Sequence, residues 1–106
     1  MMQTISVVIP VYNSAGSIPA VVEQLTEVFT HLKAQFEIIL VNDGSRDNSW
    51  DVISKLESID RRVRAVNFMR NYGQHNALLC GVRIARGEVV VTMDDDLQHP
   101  PSEVPK

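Results

Sequence analysis

Three consecutive carboxylates at the end of an apolar run form the strongest chemical feature of the sequence. Asp94, Asp95 and Asp96 follow residues 88–93 (EVVVTM), which predict a buried strand. If strand geometry continues, Asp94 and Asp96 point the same way, and Gln98 can add a neutral oxygen. Hard oxygen ligands of this kind suit Mg²⁺ or Mn²⁺, which keep positions open for phosphate oxygens. The sequence therefore predicts a divalent-metal site, and the alternative is a solvated acidic loop.

A second set of candidate residues follows the other apolar runs. Asp43 opens an Asp-Gly turn, where its carboxylate could accept hydrogen bonds from a nucleobase; the alternative is an Asx-turn or a helix cap. Pro10 and Tyr12 could form an apolar wall for a base or ribose, although ordinary packing also explains Tyr12. Arg70 follows the third run and could face a diphosphate, or it is a surface arginine.

The elements that must position these residues are strands and helices in strict alternation. Apolar runs at 5–11, 36–41, 63–68 and 88–93 predict strands. Helical spacing follows Ser17, a candidate N-cap, and a second helical stretch follows the turn-forming segment 42–47, where Asp47 or Asn48 can cap the helix. A third helix is predicted over 75–86, with Gly87 as its C-terminal cap. The order β-α-β-α-β-α-β predicts a three-layer, Rossmann-like α/β fold with a mostly parallel sheet.

This fold makes a positional prediction about the polar residues. In parallel sheets, polar ligands collect at the carboxyl ends of the strands, near the point where the strand order reverses. The most polar strand exits are those after the first, second and fourth strands. They are Tyr12-Asn13, Asn42-Asp43-Gly44 and Asp94-Asp95-Asp96. We therefore expect these three segments to meet at one edge of the sheet.

Length and composition limit the possible function classes. The chain has 106 residues, enough for one domain, and 44% hydrophobic and 22% charged residues are typical of a folded protein. A net charge of −3 and a basic cluster without interleaved aromatics (Arg61, Arg62, Arg64) argue against nucleic-acid binding. No signal peptide or membrane-length apolar run is visible, and Cys80 is the single cysteine, so we expect a cytoplasmic chain.

Four sequence motifs, in order, resemble those of family 2 glycosyltransferases with the GT-A fold. They are VIPVYN at 8–13, VNDGSRDNS at 41–49, RNYGQH at 70–75 and MDDDLQHPP at 93–101. The third motif is similar to that of the polyprenyl-phosphate glycosyltransferases. This is the group of dolichol-phosphate mannose synthase and undecaprenyl-phosphate 4-deoxy-4-formamido-L-arabinose transferase. The resemblance extends over essentially the whole chain.

The resemblance implies roles for several residues. It implies that Pro10, Tyr12 and Asp43 hold the nucleoside of a UDP- or GDP-sugar. It also implies that Asp94 and Asp96 form the metal and diphosphate site, with Gln98 in the same shell. We add Asn13, Arg70 and Asp95 to the predicted substrate-binding set. The implied reaction is inverting transfer of the sugar to a polyprenyl phosphate at the cytoplasmic face of the inner or plasma membrane.

The chain also departs from the family pattern. The family usually has an acidic residue soon after the Tyr-Asn pair, where this sequence has Ser14-Ala15-Gly16. The family continues past the equivalent of Lys106 with an acceptor-binding half and, in many members, transmembrane helices. We therefore expect residues 1–106 to be the donor-binding part of a longer catalytic domain, able to bind nucleotide but inactive alone. A sheet edge left uncovered predicts self-association into a homo-oligomer.

Other function classes fit the sequence less well or stay open. No residue can be assigned as the catalytic base; Asp95 is conceivable, and a structural role is its alternative. A non-catalytic nucleotide- or metal-binding module remains an alternative to the transferase. An aspartyl-phosphate hydrolase needs its nucleophile after an early strand with Thr or Val at fixed spacing, and this pattern is missing. An EF-hand at 94–103 would need a central Gly and a final bidentate Glu.

Overall fold

The computed structural model describes residues 4–68, 70 and 72–93. Strands and helices alternate as the hydrophobic pattern predicts, and no boundary of a predicted strand moves by more than two residues. The elements are β1 Thr4–Val11, α1 Ile18–His31, β2 Gln35–Asp43, α2 Ser49–Ile59, β3 Val63–Phe68, α3 Gln74–Ile84 and β4 Val89–Thr92.

The four strands form one parallel sheet in the order β3-β2-β1-β4. The chain moves outward from β1 to β3 and then returns to the other side of β1 to form β4. Right-handed crossovers therefore place α1 and α2 on one face of the sheet and α3 on the other. The predicted three-layer α/β fold is confirmed, and the strand order reverses between β1 and β4.

Two hydrophobic cores, one on each face, hold the layers together. Val7, Ile9 and Val11 of β1 point into the larger core, which includes buried residues of α1 and α2. Val8 points to the opposite face, where it packs with Ile39, Val41 and Ala77. This alternation follows from the period of a strand, whose successive side chains lie on opposite faces. The near-continuous apolar run of β1 is thus explained by burial on both faces.

Two glycines allow close contact between the chain and β1. A Cβ atom at Gly81 would collide with the side chain of Val8, so this glycine lets α3 approach the sheet. The prediction that Gly87 caps α3 is wrong, because the helix ends at Ile84 and the backbone is already extended at Ala85. Gly87 instead lies against β1, where a Cβ atom would be 2.7 Å from the Ser6 nitrogen.

A polar network at the amino end of the sheet ties β1, β2, β3 and the end of α3 together. The Glu37 carboxylate accepts hydrogen bonds from Ser6 Oγ (2.5 Å), Arg64 Nη1 (2.9 Å) and the Arg86 N–H (2.6 Å). Arg64 also donates to the Ile84 carbonyl (2.9 Å). Burial raises the pKa of Glu37, but these hydrogen bonds together outweigh it and hold the pKa below its ordinary value.

Candidate functional site

The exits of β1 and β2 lie side by side at the carboxyl end of the sheet. Pro10 pairs with Val41 and Val11 with Asn42, so the segments that follow are neighbours, as predicted. Pro10 is buried, whereas Tyr12 is 43% exposed and Asn13 is exposed. The structure therefore gives Tyr12 and Asn13 access to a ligand and makes Pro10 part of the sheet beneath them.

Asn13 fixes the loop after β1 to the loop after β2. It has a φ of 51°, a conformation that asparagine tolerates better than most residues. Its Oδ1 accepts hydrogen bonds from the N–H groups of Arg46 (2.7 Å) and Asp47 (3.4 Å). Its own N–H donates to Ser45 Oγ (2.9 Å). The side chain predicted to bind substrate therefore already shapes the rim of the site.

Asp47 makes the second connection between these loops. Its Oδ1 accepts from the Ser49 hydroxyl (2.5 Å) and the Ser49 N–H (2.9 Å), and its Oδ2 accepts from the Ala15 N–H (3.2 Å). The Ser49 hydroxyl in turn accepts from the Ser14 N–H (2.9 Å). The hydrogen bond from Ser49 is the main reason that the pKa of Asp47 is lowered.

The sequence prediction treated this segment only as a turn and a possible helix cap. Asp47 does hold the first N–H of α2, so that interpretation is confirmed, while Asn48 and Ser17 make no side-chain cap. The contacts to the loop after β1 were not predicted. The sequence feature that could have indicated these contacts is the dense run of Asn, Asp and Ser in 42–49. Such a run predicts turns, but it does not identify the distant backbone groups that its side chains will bind.

Asp43 is buried and holds the loop that precedes α3. Only 3% of the residue is exposed. Its Oδ1 accepts from the Tyr72 N–H (2.7 Å) and its Oδ2 from the Gly73 N–H (3.1 Å). Gly73 is the N-cap of α3 with φ 98°, a conformation that strains other residues. The sequence allowed an Asx-turn or a helix cap for Asp43. The structure shows a contact at the start of a helix, but this helix is α3 and not α2, which follows Asp43 in the chain.

The observed contacts leave Asp43 with capacity for a further donor. A carboxylate offers about four acceptor positions, and the two backbone N–H groups use two of them. A helix N-terminus also favours a negative charge, which keeps the carboxylate compatible with its buried position. The geometry therefore allows Asp43 to support the loop before α3 and to accept a hydrogen bond from a ligand.

Asn42 is a buried polar residue that the sequence prediction did not single out as a site residue. It lies on the opposite face of β2 from Asp43, and its Nδ2 donates to Asn67 Oδ1 of β3 (2.8 Å). The Asn42 Oδ1 atom is buried without a hydrogen-bond partner in the part of the chain that the structure describes. This amide pair links the exits of β2 and β3.

Arg70 lies in the loop that Asp43 anchors. It follows the end of β3 at Phe68 and is exposed, with its guanidinium carbon 6.0 Å from the centre of the Tyr72 ring. Tyr72 in turn packs edge-on against Phe68, with ring centres 5.4 Å apart. Arg70 makes no ion pair with any described carboxylate. Its charge is thus available to an anionic ligand or to solvent.

The predicted metal ligands and the predicted substrate-binding residue Asp95 come soon after β4. Asp94, Asp95, Asp96 and Gln98 lie outside the described residues. The residue before them, Met93, donates its N–H to the Val8 carbonyl (3.1 Å) at the carboxyl end of the sheet. Within residues 4–68, 70 and 72–93, no three His, Cys, Asp or Glu side chains are grouped as a metal site would require. None of the helices in these ranges is long and apolar enough to cross a membrane.

Comparisons with known proteins agree on one family. A family model described as glycosyl transferase family 2 matches residues 6–106. A relative from Pseudomonas fluorescens, named undecaprenyl-phosphate 4-deoxy-4-formamido-L-arabinose transferase, is 46% identical over 106 residues. The match covers 99% of this chain and 31% of that relative. The chain thus spans about a third of the length of the curated relatives that it matches.

Two solved structures share the fold at lower identity. The mannosyltransferase PcManGT from Pyrobaculum calidifontis, in complex with GDP-Man and Mn²⁺, has a TM-score of 0.77 and 24% identity; the match covers 91% of this chain and 28% of that one. S. aureus TarS in complex with UDP-GlcNAc has a TM-score of 0.70 and 24% identity, covering 89% of this chain and 27% of that one. The GT-A fold expected from the motifs is confirmed.

Proposed function

Since the chain belongs to glycosyltransferase family 2, we propose that it binds a nucleoside-diphosphate sugar at the carboxyl end of its sheet. The observation that carries the proposal is the convergence of Tyr12, Asn13 and Asp43 at this end, where β1 and β2 finish side by side. The order of strands reverses beside them, between β1 and β4, which is where α/β sheets bind their ligands.

The nucleoside lies over the exits of β1 and β2. Tyr12 supplies an exposed aromatic face for the base or ribose, and Pro10 forms the apolar floor beneath it. Asp43 accepts a hydrogen bond from the base with the capacity that the Tyr72 and Gly73 N–H groups leave. Asn13 fixes the rim on which the nucleotide rests.

A divalent cation completes the donor site. Asp94 and Asp96 would hold Mg²⁺ or Mn²⁺ together with Gln98, and Asp95 would contact the substrate. When bound, the cation neutralises charge that builds on the departing nucleoside diphosphate. Arg70, exposed and unpaired with described carboxylates, adds a positive charge toward the diphosphate. The cation site is supported by the position of Met93, the residue before Asp94. Met93 lies beside Val8, at the same end of the sheet as Asp43.

The reaction to which this donor site contributes is inverting transfer of the sugar to a polyprenyl phosphate at the cytoplasmic face of a membrane. The name of the Pseudomonas fluorescens relative supports a polyprenyl-phosphate acceptor. A phosphate acceptor is anionic near neutral pH, so positioning contributes more to the rate than a general base does. Residues 1–106 are the donor-binding part, and we expect no sugar transfer when they are assayed alone.

Nucleotide titration tests this proposal. UDP and GDP are titrated by calorimetry with and without Mn²⁺ into the wild-type chain and into Asp94→Ala/Asp96→Ala. We expect Mn²⁺ to strengthen binding and the double variant to lose at least about tenfold in affinity, or about 1.4 kcal/mol. Glu23→Ala/Glu27→Ala removes the same charge from exposed positions of α1 and is the matched control. Unchanged affinity in the Asp94/Asp96 variant would overturn the donor-site proposal.

A further inference from the structure

The ring of Tyr72 is exposed at the carboxyl end of the sheet, yet two contacts hold the residue in place. Its N–H donates to Asp43 Oδ1 (2.7 Å), which fixes the backbone. Its ring packs edge-on against Phe68, with ring centres 5.4 Å apart. Asp43 and Phe68 are themselves cross-strand partners at the ends of β2 and β3. Tyr72 is thus anchored to two adjacent strand ends, although 51% of the residue is exposed.

Packing explains only part of this arrangement. Phe68 belongs to the margin of the smaller core, whereas Tyr72 lies outside that core. The guanidinium of Arg70 lies over the Tyr72 ring, with its carbon 6.0 Å from the ring centre. At this distance the cation is attracted by the negative charge of the aromatic face. The anchored ring therefore restrains the position of an exposed arginine.

The contact with the ring is compatible with binding of an anion by Arg70. A guanidinium stacks through its flat face, whereas its N–H groups point outward in its plane, where they can bind a phosphate through two donors. Arg70 forms no ion pair with a described carboxylate. An arginine that is already restrained also loses less rotamer freedom when it binds a ligand.

We propose that Tyr72 is a positioning residue that holds Arg70 for the diphosphate of the nucleotide, an inference that rests on the proposed donor site. Asp43 then acts on both parts of the ligand. Its carboxylate accepts a hydrogen bond from the base, and its hydrogen bond from the Tyr72 N–H fixes the ring that orients Arg70. The ring carries this role, so phenylalanine should replace Tyr72 without loss.

Comparison of UDP with uridine isolates what the phosphates contribute to binding. Both ligands present the same base and ribose, so the ratio of their affinities measures the effect of the diphosphate. Calorimetry at saturating Mn²⁺ gives the affinity for UDP, and competition with UDP gives that for uridine. We expect Arg70→Ala to lower the ratio by about tenfold and Tyr72→Leu to lower it by about threefold. The affinity for uridine should stay unchanged in both variants.

A double variant tests whether the two side chains act together. In the Arg70→Ala background, Tyr72→Leu should not lower the ratio further, because the ring then has no guanidinium to hold. A further threefold loss in the double variant would show that Tyr72 acts independently of Arg70, which would overturn the proposal.

Two single variants serve as controls. Tyr72→Phe keeps the ring and should retain the wild-type ratio. Arg83→Ala removes an exposed arginine from the last turn of α3, at the other end of the sheet, and should also retain it. Urea unfolding of Tyr72→Leu should be close to that of the wild type, because the side chain is exposed. A reduced ratio in Tyr72→Phe would contradict a role of the ring alone.

The remaining outcomes separate this inference from the donor site itself. An unchanged ratio in Tyr72→Leu, with a lower ratio in Arg70→Ala, would overturn the positioning role and leave the donor site intact. Equal losses for UDP and uridine in Tyr72→Leu would show that the ring contacts the base instead, which also overturns it. An unchanged ratio in Arg70→Ala would do the same. A wild type that binds UDP no more tightly than uridine would overturn the diphosphate site as well.

Discussion

Strand β2 carries two carboxylates on the same face, six residues apart, and their surroundings differ. Glu37, at the amino end, receives a guanidinium, a hydroxyl and a backbone N–H from Arg64, Ser6 and Arg86. Asp43, at the carboxyl end, receives two backbone N–H groups and forms no ion pair with a described residue. At about 3.3 Å per residue, the two lie about 20 Å apart.

The difference separates a structural carboxylate from one suited to binding. The charge of Glu37 is neutralised by Arg64, and its position is fixed by three separate segments of the chain, so its contribution is to stability. Asp43 has no cationic partner among the described residues and retains spare acceptor capacity at the end of the sheet where parallel strands present ligands. The sequence distinguishes them only by position, since Asp43 lies at a polar strand exit and Glu37 lies between Phe36 and Ile38, and it does not show that Glu37 has a cationic partner in β3.

Replacing Glu37 should have the largest effect on stability. Glu37→Ala leaves Arg64 without its partner and leaves the Ser6 hydroxyl and Arg86 N–H without their acceptor. We expect the free energy of unfolding to fall by about 3 kcal/mol, since the side chains of Glu37 and Arg64 are only 13% and 28% exposed. Urea unfolding measures the loss, and the nucleotide affinity of the folded fraction should stay unchanged. A large loss of nucleotide affinity would contradict the assignment of stability to the amino end of β2 and of binding to its carboxyl end.

Replacing Asp43 should reverse this pattern. Asp43→Asn keeps the size of the side chain but removes its charge and one acceptor oxygen. We expect nucleotide affinity to fall by about tenfold, or about 1.4 kcal/mol, and stability to fall by about 1 kcal/mol as one backbone N–H loses its partner. Calorimetric titration with UDP and GDP, paired with urea unfolding, gives both values. Full affinity in this variant would show that Asp43 only supports the loop before α3.

Acid should lower the stability of the folded protein through protonation of Glu37. Its pKa in the folded protein is below the ordinary value of 4.5, so folding favours the charged form. The stability from this shift is complete above that value and is lost as the pH falls from about 4.5 through the lowered pKa. Urea unfolding at a series of pH values should show a smaller loss in Glu37→Gln than in the wild type. Parallel curves would mean that Glu37 does not control this part of the acid response.

Changes at Asn13 should weaken the connection between the loops after β1 and β2. Asn13→Gly keeps the positive φ but removes the hydrogen bonds to Arg46 and Asp47, so we expect a loss of about 1 kcal/mol. Asn13→Ala also strains the backbone and should cost about 1 kcal/mol more. Urea unfolding of the two variants tests this order. Equal stabilities would show that the positive φ contributes nothing.

The fold was largely predictable from the sequence, since apolar periodicity and the order of elements determine a parallel α/β sheet. The prediction that the exits of β1 and β2 converge is confirmed, because parallel strands end at the same edge. The error at Gly87 has a local cause: glycine is typical of helix C-caps, but here it relieves a steric contact with β1 that no local pattern encodes. The partners of Asp43 and Asn13 were also missed, because they are 29 to 34 residues away in sequence.

Paramagnetic broadening by Mn²⁺ tests the central claim most directly. The effect falls with the sixth power of distance, so a cation at the carboxyl end affects the two ends of the sheet very differently. On addition of Mn²⁺ and UDP, we expect NMR signals of the Asn13, Gly44 and Gly73 amides to broaden. The Ser6 and Glu37 amides at the amino end should stay sharp. Broadening that is uniform, or strongest at Ser6 and Glu37, would contradict a metal-assisted nucleotide site beside Asp43.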